Sequence, residues 1–303
     1  MREEIIVSGR NNYLIDPHLH IWHWQIPLYL FLGGLAAGIL FFAAFFTLRG
    51  KESKYKTAVR IAPHIVPWLL VLGLFALLLD LKHKLYFWRL YTTIRLESPM
   101  SWGAWVLMLV TPLSFIWSAI HIKEIFPRWK WPWKFLDTLE AFFRNQKKAL
   151  AWVMGISSII LGVYTGILFS AFNARPLWNT SILGPLFLAS GMSAGAAVVM
   201  LFSKKHKERS MFAKIDIGII VVELFLIVHM FMGFLASTQV QINAAELFLG
   251  GPWTAPFWIF VVILGMIVPI LLEVLELYKY KIPVVIPAGL VLFGSLMLRF
   301  ILA

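Results

Sequence analysis

The chain has 303 residues, of which 60% are hydrophobic and 14% charged, with a net charge of +12 and no cysteine. A water-soluble globular fold is excluded, because no aqueous surface could accommodate runs such as Leu69 to Leu79. A disulfide, a thiolate metal site and an iron–sulfur cluster held by the chain's own ligands are excluded with it.

Residues 1–23 carry Arg2, Glu3, Glu4 and Arg10 and no apolar stretch, so the first hydrophobic segment starts too late and runs too long for a cleaved signal. It reads as a retained span. His18, His20 and His23, just before it, read as surface histidines rather than a metal site. Crossing roughly 30 Å of hydrocarbon takes about 20 mostly apolar residues in a helix. Eight segments have that length: Trp24 to Leu48, Ala62 to Leu79, Ser101 to Ile122, Ala149 to Phe172, Ser181 to Phe202, Ile215 to Ala236, Pro256 to Leu275 and Pro283 to Leu302. They are continuously apolar rather than short and alternating, which rules out a barrel. The predicted fold class is an all-α integral membrane protein with eight transmembrane helices.

Leu30 to Gly38 in the first span and Leu186 to Gly195 in the fifth share a Leu-Phe-Leu start and a small-residue run, and each is followed by a basic loop. Four helices per half would give the halves the same orientation, as parallel repeats have. The predicted organisation is an N-terminal segment (1–23), a first four-helix bundle (24–172) and a second (173–303). Glycines four apart, Gly34 with Gly38, Gly162 with Gly166 and Gly191 with Gly195, suit close helix packing.

Most of the 27 Lys and Arg lie in the odd-numbered loops. That is how topology is encoded in a membrane protein, so the basic excess signals orientation rather than nucleic acid. Odd loops then face the cytoplasm, and both termini lie on the outer, non-cytoplasmic face. Trp22, Trp24, Trp102, Trp178 and Trp253 sit near outer span ends as belt residues, while Trp129, Trp131 and Trp133 fall in a cytoplasmic loop. The outer loops Asp80 to Met100 and Ser237 to Ala255 are long enough to dock a partner, and the latter has room for a short surface helix.

Ionisable groups within spans are expensive and mark function. Asp216 and Glu223, seven apart on the sixth span, fall on one helix face about 10 Å apart. They read as a proton path from the cytoplasmic edge inward, although Asp216 could equally be an interfacial partner of Lys214. Near the outer face, Tyr29, Asp80, Tyr164 and Arg299 fall within the last turns of their spans. Phenols that donate to a carbonyl, a carboxyl that exchanges protons and a guanidinium that steadies an anion are what a quinone site needs. The alternative makes the tyrosines belt residues and Asp80 with Arg299 an ion pair, but Tyr164 lies about 13 Å from Asn173, deep for a belt. His64 and His121 both fall at cytoplasmic span ends and His229 stands alone, so no haem is expected.

The stretches Trp22 to Gly38, Ser98-Pro-Met-Ser-Trp-Gly-Ala-Trp105, and Val163-Tyr-Thr-Gly166 leading into Asn173-Ala-Arg-Pro-Leu-Trp-Asn179 resemble the membrane subunits of polysulfide-reductase type, the NrfD-like family. The resemblance runs over nearly the whole chain. It implies two haem-free four-helix bundles, a menaquinone-type site near the outer face, and an iron–sulfur subunit docked there that connects to a molybdopterin catalytic subunit. It further implies quinone contacts at Tyr164 and Tyr29 and polar membrane positions at Asp80, Asp216, Glu223 and Arg299; with Asp80, Arg299 and Asn173 added, these tyrosines make up the expected quinone site. Some family members carry histidine where Tyr29 stands, so proton exchange here would fall more on Asp80. The activity implied is menaquinol oxidation for a respiratory reductase, with polysulfide or sulfur as the terminal acceptor, or else thiosulfate, tetrathionate, nitrite or dimethyl sulfoxide. A proton-coupled transporter is the competing class, but Pro67, Pro112 and Pro269 do not form the paired broken helices that transporters favour.

Overall fold

The computed structural model describes residues 23–171 and 175–303. Eight helices among them are long and apolar enough to cross a membrane: α1 (Gln25–Leu48), α2 (Thr57–Asp80), α3 (Pro99–Ile125), α5 (Lys147–Ser170), α6 (Leu183–Phe202), α7 (His206–Leu235), α9 (Pro256–Leu277) and α10 (Val285–Leu302). Shorter helices lie in loops, among them α4 (Lys134–Asn145) and α8 (Gln239–Glu246), and the 81–98 loop holds single turns at Lys84–Tyr86 and Arg89–Thr92. No strand occurs among the described residues. One end of the molecule, where α1 starts and the 81–98 loop lies, is called the loop end. The other, where most Lys and Arg gather, is the basic end.

The spans match the apolar segments, and their differences at the ends have local causes. α7 begins at His206, nine residues before its apolar stretch. Its first turn supplies Glu208, which is buried and accepts hydrogen bonds from the backbone N–H groups of Thr57 (2.9 Å) and Ala58 (3.1 Å) and from the Thr57 hydroxyl (3.0 Å). Those are the otherwise unpaired donors at the start of α2, so one carboxylate explains why both helices begin early. α2 tightens to a 3-10 turn over Ala62–Ile65, where Pro63 and Pro67 lack the N–H groups of a regular ladder. α1 stops at Gly50, whose φ of 65° lets Lys51 N–H reach back to the Phe46 carbonyl at 2.9 Å.

α1 lies against α2, α5, α6 and α10, while α6 lies against α1, α5, α7 and α10. The two similar glycine segments therefore face one another across the middle of the molecule. A Cβ on Gly38 would fall into the Gly191 carbonyl, so the two backbones touch where lipid offers no hydrophobic drive and contact area must come from proximity.

α4 is a surface helix set by charge. Glu140 is buried, accepts a hydrogen bond from Trp131 Nε1 (2.7 Å), and pairs with Lys123 (2.8 Å) and Arg144 (2.6 Å). Burial works to raise the Glu140 carboxyl, but the Lys123 and Trp131 hydrogen bonds outweigh it and hold it below its ordinary value. This pin rolls Phe135, Leu139 and Phe142 outward, where they are exposed.

Trp178 departs from its expected belt position. It is buried, its Nε1 donates to the Leu302 carbonyl (2.6 Å), and the neighbouring Arg175 donates to the Ala303 carbonyl (3.0 Å). The Arg-Pro-Leu-Trp segment thus closes the end of α10 instead of facing lipid.

Candidate functional site

Tyr29 lies one turn inside α1 and Tyr164 nearly two turns from the end of α5, which puts both about 6–9 Å below the loop end. Both are buried and line one cavity, closed above by Leu90 and Tyr91 of the 81–98 loop and on the side by Met100 and Ala104 of α3. Its free space is narrow, about 50 Å³. The Tyr164 ring rests on Gly103, one turn into α3, and a Cβ there would overlap the phenol. Tyr29 interacts electrostatically with Tyr164 and with Tyr91 of the loop, so the three phenols form one group around the cavity. Burial pushes the Tyr91 phenol above its ordinary value, so it too stays a donor at neutral pH.

The cavity has two larger neighbours. Tyr164 also lines a groove of about 590 Å³ between α3 and α5, walled by Trp102, Ile160 and Val163. Leu81, Leu90 and Met100 are shared with a groove of about 480 Å³ beneath the loop, edged by Lys82, Arg89 and Arg95. Tyr164 therefore stands between the interior cavity and an apolar groove between two spans.

Asp80 closes α2 between two residues that line the cavity, Leu77 and Leu81, and its Oδ1 is 3.5 Å from His23 Nδ1. His23, a surface histidine by its sequence context, thus has Asp80 as a neighbour, and neither of the two itself lines the cavity. Its signal is its spacing: six residues before Tyr29, it lies at the start of the same helix. Asn173 lies outside the described residues.

Arg299, expected beside the tyrosines, does not line their cavity. It is fully buried in the second half, where its guanidinium donates to the Ser295 carbonyl (2.7 Å), Ser295 Oγ (2.8 Å), Ser190 Oγ (3.2 Å) and the Phe187 carbonyl (3.2 Å). A Cβ on Gly34 would come within 2.6 Å of this guanidinium, so the glycine in α1 leaves its space. The position near the end of α10 suggests convergence, but the side chain turns toward α6, where Ser190 and Ser295 form a polar niche (2.9 Å apart).

Arg299 instead heads a line of carboxyls. Glu223 faces it and Ser190, and Asp216, seven residues nearer the basic end, faces Ser193 and Glu273 of α9. Asp216, Glu223 and Glu273 are all buried, and the carboxyl oxygens of Asp216 and Glu273 have no hydrogen bond at ordinary distance. Glu276, one turn further out, approaches Arg209 of α7 at 4.0 Å. Glu273 escapes sequence reasoning, because a Glu pair closing a span at the basic end looks interfacial. Seen on the helix, Glu273 points inward at Asp216.

His64 and His121 lie at the basic end on α2 and α3, and His121 Nδ1 engages the Trp117 carbonyl at 3.0 Å. Among the described residues no group of three or more His, Asp or Glu could hold a metal ion.

The family described as "Polysulphide reductase, NrfD" matches residues 14–303. The protein is 32% identical to Protein NrfD of Escherichia coli, over 92% of its own length and 93% of that protein. It is 32% identical to the C polypeptide of the Wolinella succinogenes polysulfide reductase, over 92% of each. It is 26% identical to the C component of the Mesobacillus selenatarsenatis selenate reductase, over 93% of its own length and 72% of that protein.

Proposed function

The chain belongs to the NrfD family of polysulfide-reductase membrane subunits, and from that premise we propose that it is the quinol-oxidising anchor of a respiratory reductase. The observation that carries this reading is the pair of buried phenols, Tyr29 and Tyr164, that line one cavity. A phenol hydroxyl donates to a carbonyl or hydroxyl oxygen, and a ligand with two oxygens could engage both tyrosines. The groove beside Tyr164 gives a lipid-soluble ligand a way in from the bilayer. The narrow cavity fits a ring once Met100 or the Tyr91 loop yields.

Menaquinol supplies the redox chemistry: its oxidation releases two electrons and two protons. The protein's own residues bind and orient. Tyr29 and Tyr164 hydrogen-bond the ring oxygens, and Asp80, next in the chain to the cavity-lining Leu81 and 3.5 Å from His23, accepts protons. This division of labour accounts for a tyrosine at position 29. The electrons leave to an iron–sulfur subunit docked on the loop end, which passes them to a molybdopterin subunit. The relatives named for polysulfide and selenate reduction support a reductase of an oxidised sulfur- or selenium-type acceptor, with polysulfide favoured. The basic end faces the cytoplasm of a prokaryotic inner membrane by its Lys and Arg. The Glu276, Glu273, Asp216 and Glu223 line then leads protons inward from that side toward Arg299.

The test is quinol oxidation by the purified complex with its co-purifying subunits, comparing the parent with Tyr164→Phe. Loss of quinol oxidation by tenfold or so, with substrate still reduced from an artificial donor, supports the site. Unchanged quinol activity would overturn it.

A further inference from the structure

On the surface of α1 and α5 near the basic end is an apolar groove of about 360 Å³, separate from the quinone cavity and independent of that reading. Its walls are Phe45 on α1 and Trp152 and Ile156 on α5, all exposed. Gly155 forms its floor, where a Cβ would press within 3.2 Å of Ala44 Cβ. At its mouth stands Arg49, whose guanidinium carbon lies 5.3 Å from the centre of the Phe45 ring.

The cations at the basic end differ in their partners. Arg60 pairs with Glu124 and Glu52, Lys147 with Glu52, and Lys123 with Asp137 and Glu140. Arg49 has no carboxylate partner among the described residues, and neither has Lys148, which lies one turn before Trp152 on the same face of α5. An apolar slot between spans that ends on uncompensated cations, at the depth where helices leave the hydrocarbon, has the shape and charge of a phospholipid site. The guanidinium fork matches a phosphate, and the ring beneath holds it in place.

We propose that the groove between α1 and α5 binds one anionic diacyl phospholipid of the leaflet at the basic end, an acyl chain lying along Trp152 and Ile156 and the headgroup phosphate on Arg49 and Lys148. The lipid bridges α1 and α5 and neutralises charge that the protein leaves open.

Native mass spectrometry of the full chain in detergent tests this, titrating phosphatidylglycerol and phosphatidylcholine of identical acyl chains. One phosphatidylglycerol binds in preference to phosphatidylcholine, Arg49→Gln weakens it about fivefold, as the loss of one cation near a charged headgroup implies, and Arg49→Lys weakens it less. Ile156→Trp fills the slot from its lipid side, without touching the interior, and abolishes the adduct while leaving the melting temperature unchanged. Excess inorganic phosphate does not displace the lipid. Equal binding of the two lipids, unchanged affinity in Arg49→Gln or Ile156→Trp, or displacement by inorganic phosphate would each overturn the proposal.

Discussion

The ring of Tyr164 lies on the bare backbone of Gly103, so closely that a single added methyl would occupy the space of the phenol. Gly103→Ala is therefore expected to push Tyr164 out of the cavity, and quinol oxidation should fall at least as far as in Tyr164→Phe. The coupling is readable in thermal unfolding. Gly103→Ala should cost about 1–3 kcal/mol by overpacking in the parent and far less in a Tyr164→Ala background, a non-additivity that only direct contact produces. Additive costs would place the two residues apart.

Asp80 Oδ1 and His23 Nδ1 approach to 3.5 Å. Asp80→Asn keeps the shape and removes the proton acceptor, so quinol oxidation should drop while binding of a quinone-analogue inhibitor persists. The loss should be roughly 10²-fold if general-base catalysis is its cause. Loss of inhibitor binding in step with activity would make the pair a binding element only.

The buried line from Glu273 to Glu223 lies in the half of the molecule away from the tyrosine cavity. Glu223→Gln in proteoliposomes should leave electron transfer from quinol largely intact and abolish any proton movement across the bilayer, measured with an entrapped pH dye. If proton movement survives, the line is structural.

Glu208 satisfies three donors at the start of α2. Glu208→Ala strands them in a buried place and should cost about 3 kcal/mol or more, since charge-assisted hydrogen bonds are the stronger class. The melting temperature in detergent should fall by several degrees, while quinol oxidation at permissive temperature continues. Glu208→Gln keeps an acceptor and should recover part of the loss.

Glu140 gives α4 a dependence on pH. Its carboxyl is held below its ordinary value in the folded chain, so its contribution is complete above the unfolded value of about 4.3. That contribution fades as pH falls through the lower folded value. The protection of amides across Lys134–Asn145, measured against the intrinsic exchange rate at each pH, should fall on acidification below about pH 4 in the parent, and should be low at all pH values in Glu140→Ala. Protection that stays constant with pH would remove Glu140 as the pin.

The eight spans are legible because twenty-residue apolar runs admit few other structures, and helix starts fail only where a distant side chain supplies the cap, as Glu208 does for Thr57. Tyr29 and Tyr164 can be picked out as polar groups at matching depth, and the structure puts them on one cavity. Arg299 cannot be placed, because depth along a helix is readable from sequence and azimuth is not: a residue at the right level can face the wrong neighbour. Glu273 is hidden for the same reason. His23 is hidden by a preceding cluster of histidines that makes all of them look alike. Gly103 is visible as part of a motif, but nothing in a sequence says which ring a glycine makes room for.

The carboxylate that caps α2 is separated from it by 151 residues of chain. At 5–20 residues per second, a ribosome takes roughly 8–30 s to make that stretch. For that time the newly inserted first half carries unpaired donors at the start of α2, at the membrane boundary, with only water or lipid headgroups to answer them. The α2 end therefore becomes final only when α7 arrives, and a polypeptide stalled before His206 presents an unfinished helix start that quality control can recognise.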